Sequence, residues 1–208
     1  GSPLSFAAAL PKVYGGRTDY ARWHHVAADD ALGIRAVTAI LPQTLHAAGT
    51  TLKQGFLGTV SVHPDARGEG HMKHVMRDVI DDLYAEGFDL ALLDGQRQRY
   101  EYFGFVPGGL RWRYELSDAS VKHAMADVDV AHAVFSPLCE GTDEEAAAEA
   151  LHRTRPVWAE RSAPSFTEIC RSYCGRPFVM TENGRVTGFL VAAAKDDGVL
   201  WDVCTADT

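Results

Sequence analysis

Hydrophobic and polar positions alternate along this chain with two different periods. Met72, Val75, Met76, Val79, Ile80 and Leu83 recur at spacings of three and four residues, which gathers them on one face of an α-helix. Gly87 follows as the expected stop, since glycine readily takes the left-handed conformation that closes a helix. Upstream the pattern is that of strands. Residues 23–28 and 34–41 are predicted to pair as a hairpin through Asp29, Asp30 and Gly33. Shorter strands over 44–47 and 50–53 are expected around a reversal at Ala48 and Gly49, then a further strand over 56–62. After the helix, 88–93 is apolar throughout and predicts a fully buried strand. Strand, helix and strand in this order make a βαβ unit with two parallel strands.

Around this unit the pattern is less regular. Residues 6–13 predict a short helix closed by Tyr14, Gly15 and Gly16, and 96–103 a second one stopped by Gly104. Residues 110–116 alternate Leu110, Trp112, Tyr114 and Leu116 inward with Arg111, Arg113 and Glu115 outward, a strand with one wet face. A polar linker is expected over 117–129, with a strand over 128–135. Thr142 with Glu145 three residues later predicts a capped helix through Arg153, or to just before Pro156. Residues 178–180 and 186–194 form a hairpin through Glu182, Asn183 and Gly184, and 199–203 a third strand after Asp196, Asp197 and Gly198. The expected organisation is a first unit over 3–117 and a smaller α+β unit over 118–208.

Composition narrows the function. The 208 residues carry a formal charge of -8, which argues against nucleic acid as the main partner, because phosphate backbones are held by clustered Lys and Arg. A local basic cluster remains at Arg97, Arg99, Arg111 and Arg113. Cys170 and Cys174 sit one helical turn apart but lack the further ligands that a metal site needs, so no metal is expected. No apolar stretch is long enough to cross a bilayer and no signal peptide is visible, so a cytoplasmic setting is expected and no membrane partner.

The richest local chemistry lies where the strand ending at Val62 runs into the helix beginning near Met72. Arg67, Gly68, Glu69, Gly70 and His71 form a glycine-bearing turn at a helix N-terminus, where unpaired amides and the positive end of the dipole favour an anion. Neither the Gly-Lys-Ser/Thr ending of a nucleotide-phosphate loop nor a dinucleotide Gly-x-Gly-x-x-Gly accompanies it. With Val60, Ser61, Val62, His63 and Pro64 before it, this turn resembles that of the GCN5-related N-acetyltransferase (GNAT) superfamily. Arg67, Gly70 and Met72 occupy the places of Arg or Gln, Gly, and Gly or Ala, and Met72 departs from the family by its size. A second likeness follows at Tyr100, Glu101, Tyr102, Phe103, Gly104 and Phe105. The resemblance covers residues 6–116, without the family's usual first strand and helix.

The resemblance implies a GNAT fold: an α/β domain with a mixed, mostly antiparallel sheet and a central βαβ unit. It implies acetyl-CoA as co-substrate, with pyrophosphate on the amides of Gly68, Glu69, Gly70, His71 and Met72, Arg67 adding charge, and the pantetheine arm along the backbone of Val60 and Val62. Tyr100 matches the family's general acid. The general base is open among His24, His25, His63, Asp94, Glu101 and a water chain. The implied partner is a small-molecule or peptide amine, and whether copies of the chain associate is undecided. The second unit resembles an incomplete second GNAT domain, as in multidomain proteins of the Eis type, and would shape the acceptor cleft. The acidic balance mildly favours a cationic acceptor. A non-catalytic acyl-CoA-binding domain is the alternative.

Overall fold

The computed structural model describes residues 9–14, 21–31, 33–109, 113–161, 165–194 and 198–206. Its first sheet is five-stranded. β1 (His24–Asp29), β2 (Gly33–Ala47) and β3 (Thr50–Val62) form an antiparallel meander, and β4 (Leu90–Leu93) runs parallel to β3. β2 and β3 are each continuous, so the pieces expected over 34–41 and 44–47, and over 50–53 and 56–62, are two long strands. Ala48 and Gly49 turn between them with φ of 49° and 78°, the hand that matches strand twist in a two-residue hairpin loop.

α1 (Pro11–Tyr14) and α2 (His71–Ala85) lie on opposite faces of this sheet. The apolar stripe of α2 packs Met76, Val79 and Leu83 on Ile40 and Leu57. The fit over Gly55 is close, because a Cβ there would meet Leu83 Cδ2 at 2.6 Å. α2 ends as expected: Gly87 has φ 66°, and the Phe88 and Gly87 amides donate to the Leu83 and Tyr84 carbonyls at 3.0 and 3.1 Å. On the far face, Ala39 and Leu41 pack with Phe56 and with Val13 of α1.

Two expectations fail at the edge of this sheet. β4 pairs with β3 only from Leu90 to Leu93, its other side has no partner among the described residues, and Leu92 is 47% exposed. It is an edge strand rather than a fully buried one. The strand expected over 110–116 lies partly outside the described residues. Tyr114 and Leu116 belong to no sheet and are exposed, not inward. Alternation makes a strand only where a neighbour offers a ladder and a face. Between these segments α3 (Arg97–Tyr100) continues into a 3-10 turn, Glu101–Phe103, ended by Gly104 at φ 88°.

The second sheet is antiparallel in the order β5 (Ala133–Pro137), β7 (Arg176–Glu182), β8 (Arg185–Ala192), β9 (Leu200–Thr205). Asn183 and Gly184 turn between β7 and β8 at φ 50° and 77°, as the Asn-Gly pair predicts. The supposed linker holds a helix, α4 (Asp118–Ala124), whose capping box is made by Ser117 and Ser120. α5 (Asp143–Arg153) and α6 (Phe166–Cys170) cover one face of the sheet around Leu138, Phe166, Val179 and Phe189. At the start of α5, Thr142 Oγ1 accepts from the Glu145 amide. The Glu145 carboxylate takes the Gly141 and Thr167 amides, each at 2.7 Å, and so ties α5 to α6.

One short strand crosses between the sheets. β6 (Val157–Ala159) comes from beyond α5 yet pairs with the end of β2, from Leu45↔Ala159 to Ala47↔Val157. The outer edge of β2 is thus covered by β1 up to Ala39 and by β6 from Leu45. Pro42, which has no N–H to offer, lies in the interval between them.

Candidate active site

β3 leaves the sheet into a 3-10 turn, Pro64–Ala66, capped by His63, whose Nδ1 accepts from the Asp65 amide at 3.3 Å. Gly68 and Gly70 then take φ of 87° and 86°, conformations that favour glycine, and a Cβ on either would meet nothing within 4 Å. The space beside this backbone is open. The amides of Gly68, Glu69, Gly70, His71 and Met72 donate to no acceptor among the described residues. They fan out at the positive end of a 15-residue helix. The Arg67 guanidinium is exposed and has no acidic partner among the described residues. Glu69 does not spoil this positive character: its Oε2 accepts from Arg35 Nη1 at 2.8 Å and lies 3.0 Å from His71 Nε2, while Arg35 also pairs with Asp29.

Beside the turn the sheet forks. Pairing of β3 with β4 stops at Leu57↔Leu93, and residues 58–62 have no strand on that side among the described residues. The register with β2 slips there, from Val37↔Ser61 to Ala39↔Gly58, which puts one extra residue into β3. Thr59 in this bulge has φ 54°, an outlying conformation for a β-branched side chain. Burial pushes the Tyr14 phenol up, against a side-chain hydrogen bond with Thr59 that lowers it. Neither the bulge nor this hydrogen bond is signalled by residue pattern.

Val60, Met72 and Tyr100 all pack against the cluster under α2, so three of the sequence-predicted residues border one apolar cluster from three elements. Val62 faces Ala36 across the β2 ladder. Met72 turns its bulk into the core rather than the open side of the turn. Tyr100 is half-buried, with its ring edge-on to Phe105 at 6.3 Å between centroids. It lies over Gly95, where a Cβ would meet Tyr100 Cε2 at 2.5 Å. The sequence signals only a turn at Gly95; the packing makes it the platform of Tyr100.

The candidate bases are dispersed. His25 turns to Asp82 of α2 at 3.5 Å, His63 is spent as a cap, and Glu101 pairs with Arg97 at 2.6 Å. Asp94 is exposed in the turn before α3. His24 pairs with Ala39 on the far face, its ring 6.2 Å from that of Tyr14. Of the basic cluster, Arg97 and Arg113 have acidic partners, and Arg111 lies outside the described residues.

A cleft of about 690 Å³ lies between the far face of the first sheet and residues of β6, α6 and the second sheet. Leu41 and Phe56 line it from one side, Val191 and Trp201 from the other. Phe56↔Leu92 is the last rung but one before the fork, and both residues line the cleft, so cleft and fork adjoin. Arg155, Arg161 and Asp202 form an ion triad in its wall. Burial alone would raise the Asp202 carboxyl, but the Arg155 hydrogen bond and the charges of both arginines hold it below the usual range. Burial pushes the neighbouring Cys170 thiol up to about 11. On the rim, Tyr173 and Cys174 take φ of 56° and 62°, two consecutive strained positions. All four cysteines, Cys139, Cys170, Cys174 and Cys204, are free thiols. No helix among the described residues is long and apolar enough to cross a membrane.

Residues 17–108 match the sequence profile of the acetyltransferase (GNAT) domain. No curated protein matches the chain in sequence. Among solved structures, a GCN5-related N-acetyltransferase from Kribbella flavida aligns over 86% of this chain and 46% of its own, with TM-score 0.60 and 19% identity. N-myristoyltransferase of Saccharomyces cerevisiae, solved with myristoyl-CoA, aligns over 96% of this chain and 56% of its own, with TM-score 0.57 and 12% identity. A probable N-acyltransferase of unknown function from Enterococcus faecalis aligns over 81% and 43%, with TM-score 0.54 and 12% identity. The chain spans about half the length of these proteins, and at such identities the likeness is one of fold. The forked sheet and the glycine turn agree with the profile match, by which residues 17–108 form an acetyltransferase (GNAT) domain.

Proposed function

We propose that the protein is an N-acetyltransferase that moves an acetyl group from acetyl-CoA to an amine by direct attack in a ternary complex. One observation carries the reading: among the described residues, the amides of residues 68–72 have no acceptor at a helix N-terminus, the Arg67 guanidinium beside them has no acidic partner, and the adjoining edge of β3 has no strand paired to it. A diphosphate suits the first two features, because backbone N–H groups and Arg both favour phosphate oxygens. An extended pantetheine arm suits the third, adding to the edge of β3 at Val60 and Val62 as a further strand would. Residues 3–117 then form the catalytic unit and 118–208 the wall of the acceptor cleft. The two exposed thiols, Cys139 and Cys174, fit a reducing, cytoplasmic setting.

In the reaction the amine nitrogen attacks the thioester carbonyl, the C–S bond breaks, and an amide forms. The departing thiolate takes a proton from the Tyr100 hydroxyl, which water restores, and the proton lost by the amine passes to solvent. A phenol of pKa about 10 is a weaker acid than a thiol of about 8.5, so Tyr100 acts through position more than acidity. That Tyr100 packs on the same apolar cluster as Val60 of the forked strand supports this role.

A thermal-shift comparison of acetyl-CoA, ATP and NAD tests the cradle. Acetyl-CoA is expected to raise Tm and the other two to leave it unchanged; stabilisation by ATP or NAD alone ends the reading. Thiol release from acetyl-CoA over a panel of amines then separates an enzyme from an acyl-CoA-binding domain.

A further inference from the structure

The cleft that adjoins the fork has a local charge balance unlike that of the whole chain. Four charged side chains line it, Arg155, Glu160, Arg161 and Asp202. Both carboxylates are engaged: Asp202 receives Arg155 Nη2 at 2.6 Å and Arg161 Nη1 at 3.2 Å, and Glu160 Oε1 lies 3.0 Å from His46 Nε2. The guanidiniums are not used up. Arg155 spends Nη2 on Asp202 and on the Val203 carbonyl. Arg161 spends Nη1 on Asp202 and on a long contact to Cys170 Sγ at 3.9 Å. Its Nε and Nη2 hydrogens have no acceptor among the described residues. These atoms are not sealed in the core, because neither counts among the buried polar atoms that lack partners.

Two guanidiniums share one carboxylate at the triad, so this cluster is itself net positive, while the Glu160 carboxylate that balances the lining is turned to His46. Side chains there are only 21–25% exposed, so solvent screens this charge less than on the surface. The Nε and Nη2 hydrogens of an arginine lie parallel in one plane, at the spacing of the two oxygens of a carboxylate. Leu41, Phe56 and Leu92 give the cleft an apolar sheet side next to the fork, and Val191 and Trp201 add apolar surface from the second sheet.

We infer that the acceptor is a small amine that also carries a carboxylate and an apolar side chain, held by its carboxylate on the free edge of Arg161. The inference rests on the reading of this cleft as the acceptor site. It runs against the cationic acceptor suggested by the overall charge of -8. A polycation would meet the positive end of the cleft, whereas an amino acid of modest size fits a space of about 690 Å³. Apart from Glu160 and Asp202, the acidic residues behind the overall charge lie outside this lining, and solvent and salt screen them from it.

The test uses matched ligands on the full chain. L-Phenylalanine, L-leucine and L-methionine are each compared with the corresponding carboxamide, and with kanamycin as a polycation, by calorimetry without acetyl-CoA. At least one acid is expected to bind tenfold or more tightly than its amide, and kanamycin more weakly than that acid. Arg161→Gln is expected to abolish the difference between acid and amide while leaving the acetyl-CoA thermal shift unchanged. Amides or kanamycin binding as tightly as the acids, or no acid binding at all, would overturn the inference. The comparison on the unaltered protein stands even if Arg161→Gln folds poorly. Loss of the acetyl-CoA shift in the unaltered protein would instead sink the acetyltransferase reading, so the two failures are distinct.

Discussion

Gly95 offers the sharpest probe of how Tyr100 works, because it changes the position of the phenol without removing it. A Cβ built on Gly95 would stand 2.5 Å from Tyr100 Cε2, where ordinary contact begins at 3.4 Å, so Gly95→Ala forces the ring back by about 0.9 Å. Retreat is available, since Tyr100 is only half-buried and lies at the margin of its cluster. A misplacement of about 1 Å costs up to about a hundredfold in a positioned catalytic group, or roughly 2.7 kcal/mol of barrier. With an acceptor identified by the amine panel, kcat should fall between about tenfold and a hundredfold while KM for acetyl-CoA holds. Calorimetry should give an unchanged affinity for CoA. Tyr100→Phe should lower kcat by an order of magnitude or more, and adding Gly95→Ala to it should cost little further, because both changes remove the same function. Full activity of Tyr100→Phe, or losses that multiply in the double variant, would refute the argument that Gly95 serves by placing the hydroxyl.

Other expectations test the turn, the hairpin and the cleft wall. Arg67→Gln should weaken acetyl-CoA binding about tenfold or more at low salt, with the deficit shrinking toward 0.5 M salt (roughly a 4 Å screening length); an affinity insensitive to both would remove Arg67 from the phosphate site. Ala48→Asn, at a position with φ of 49°, should raise Tm by about 2–4 °C, since Asn tolerates the left-handed region that penalises Ala; a lowered Tm would count against strain at that turn. Asp202 is held below its ordinary pKa, so its contribution to stability is present above about pH 4 and is lost as pH falls through the folded value. The stability gap between the unaltered protein and Asp202→Asn should therefore be constant from pH 5 to 8 and narrow below about pH 4 in urea melts; a gap that widens on acidification would contradict the ion triad.

Local chemistry made much of the domain legible in residues alone. The stripe from Met72 to Leu83 fixed α2, because a helix repeats its contacts every few residues and records its buried face in order. Gly87, Gly104, Asn183 and Gly184 marked turns, because their positive φ is a property of single residues. The glycine turn from Arg67 to Met72 was readable for the same reason: an amide fan at a helix N-terminus is built from consecutive residues. Contacts between distant segments left no such record. β6 has three residues, too few for any period, and its union with β2 depends on where α5 delivers the chain. The bulge at Thr59, the seat of Tyr100 on Gly95 and the triad of Arg155, Arg161 and Asp202 are agreements between elements far apart in sequence. Tyr114 and Leu116 mark the same limit from the other side, with a strand-like pattern and no neighbouring ladder to join. The sequence by itself determined the glycine turn with its fan of amides and the helix that carries it. Tertiary structure alone decided which strand edge lies beside that turn, and which charges meet in the cleft wall, because both depend on three-dimensional proximity that no local spacing encodes.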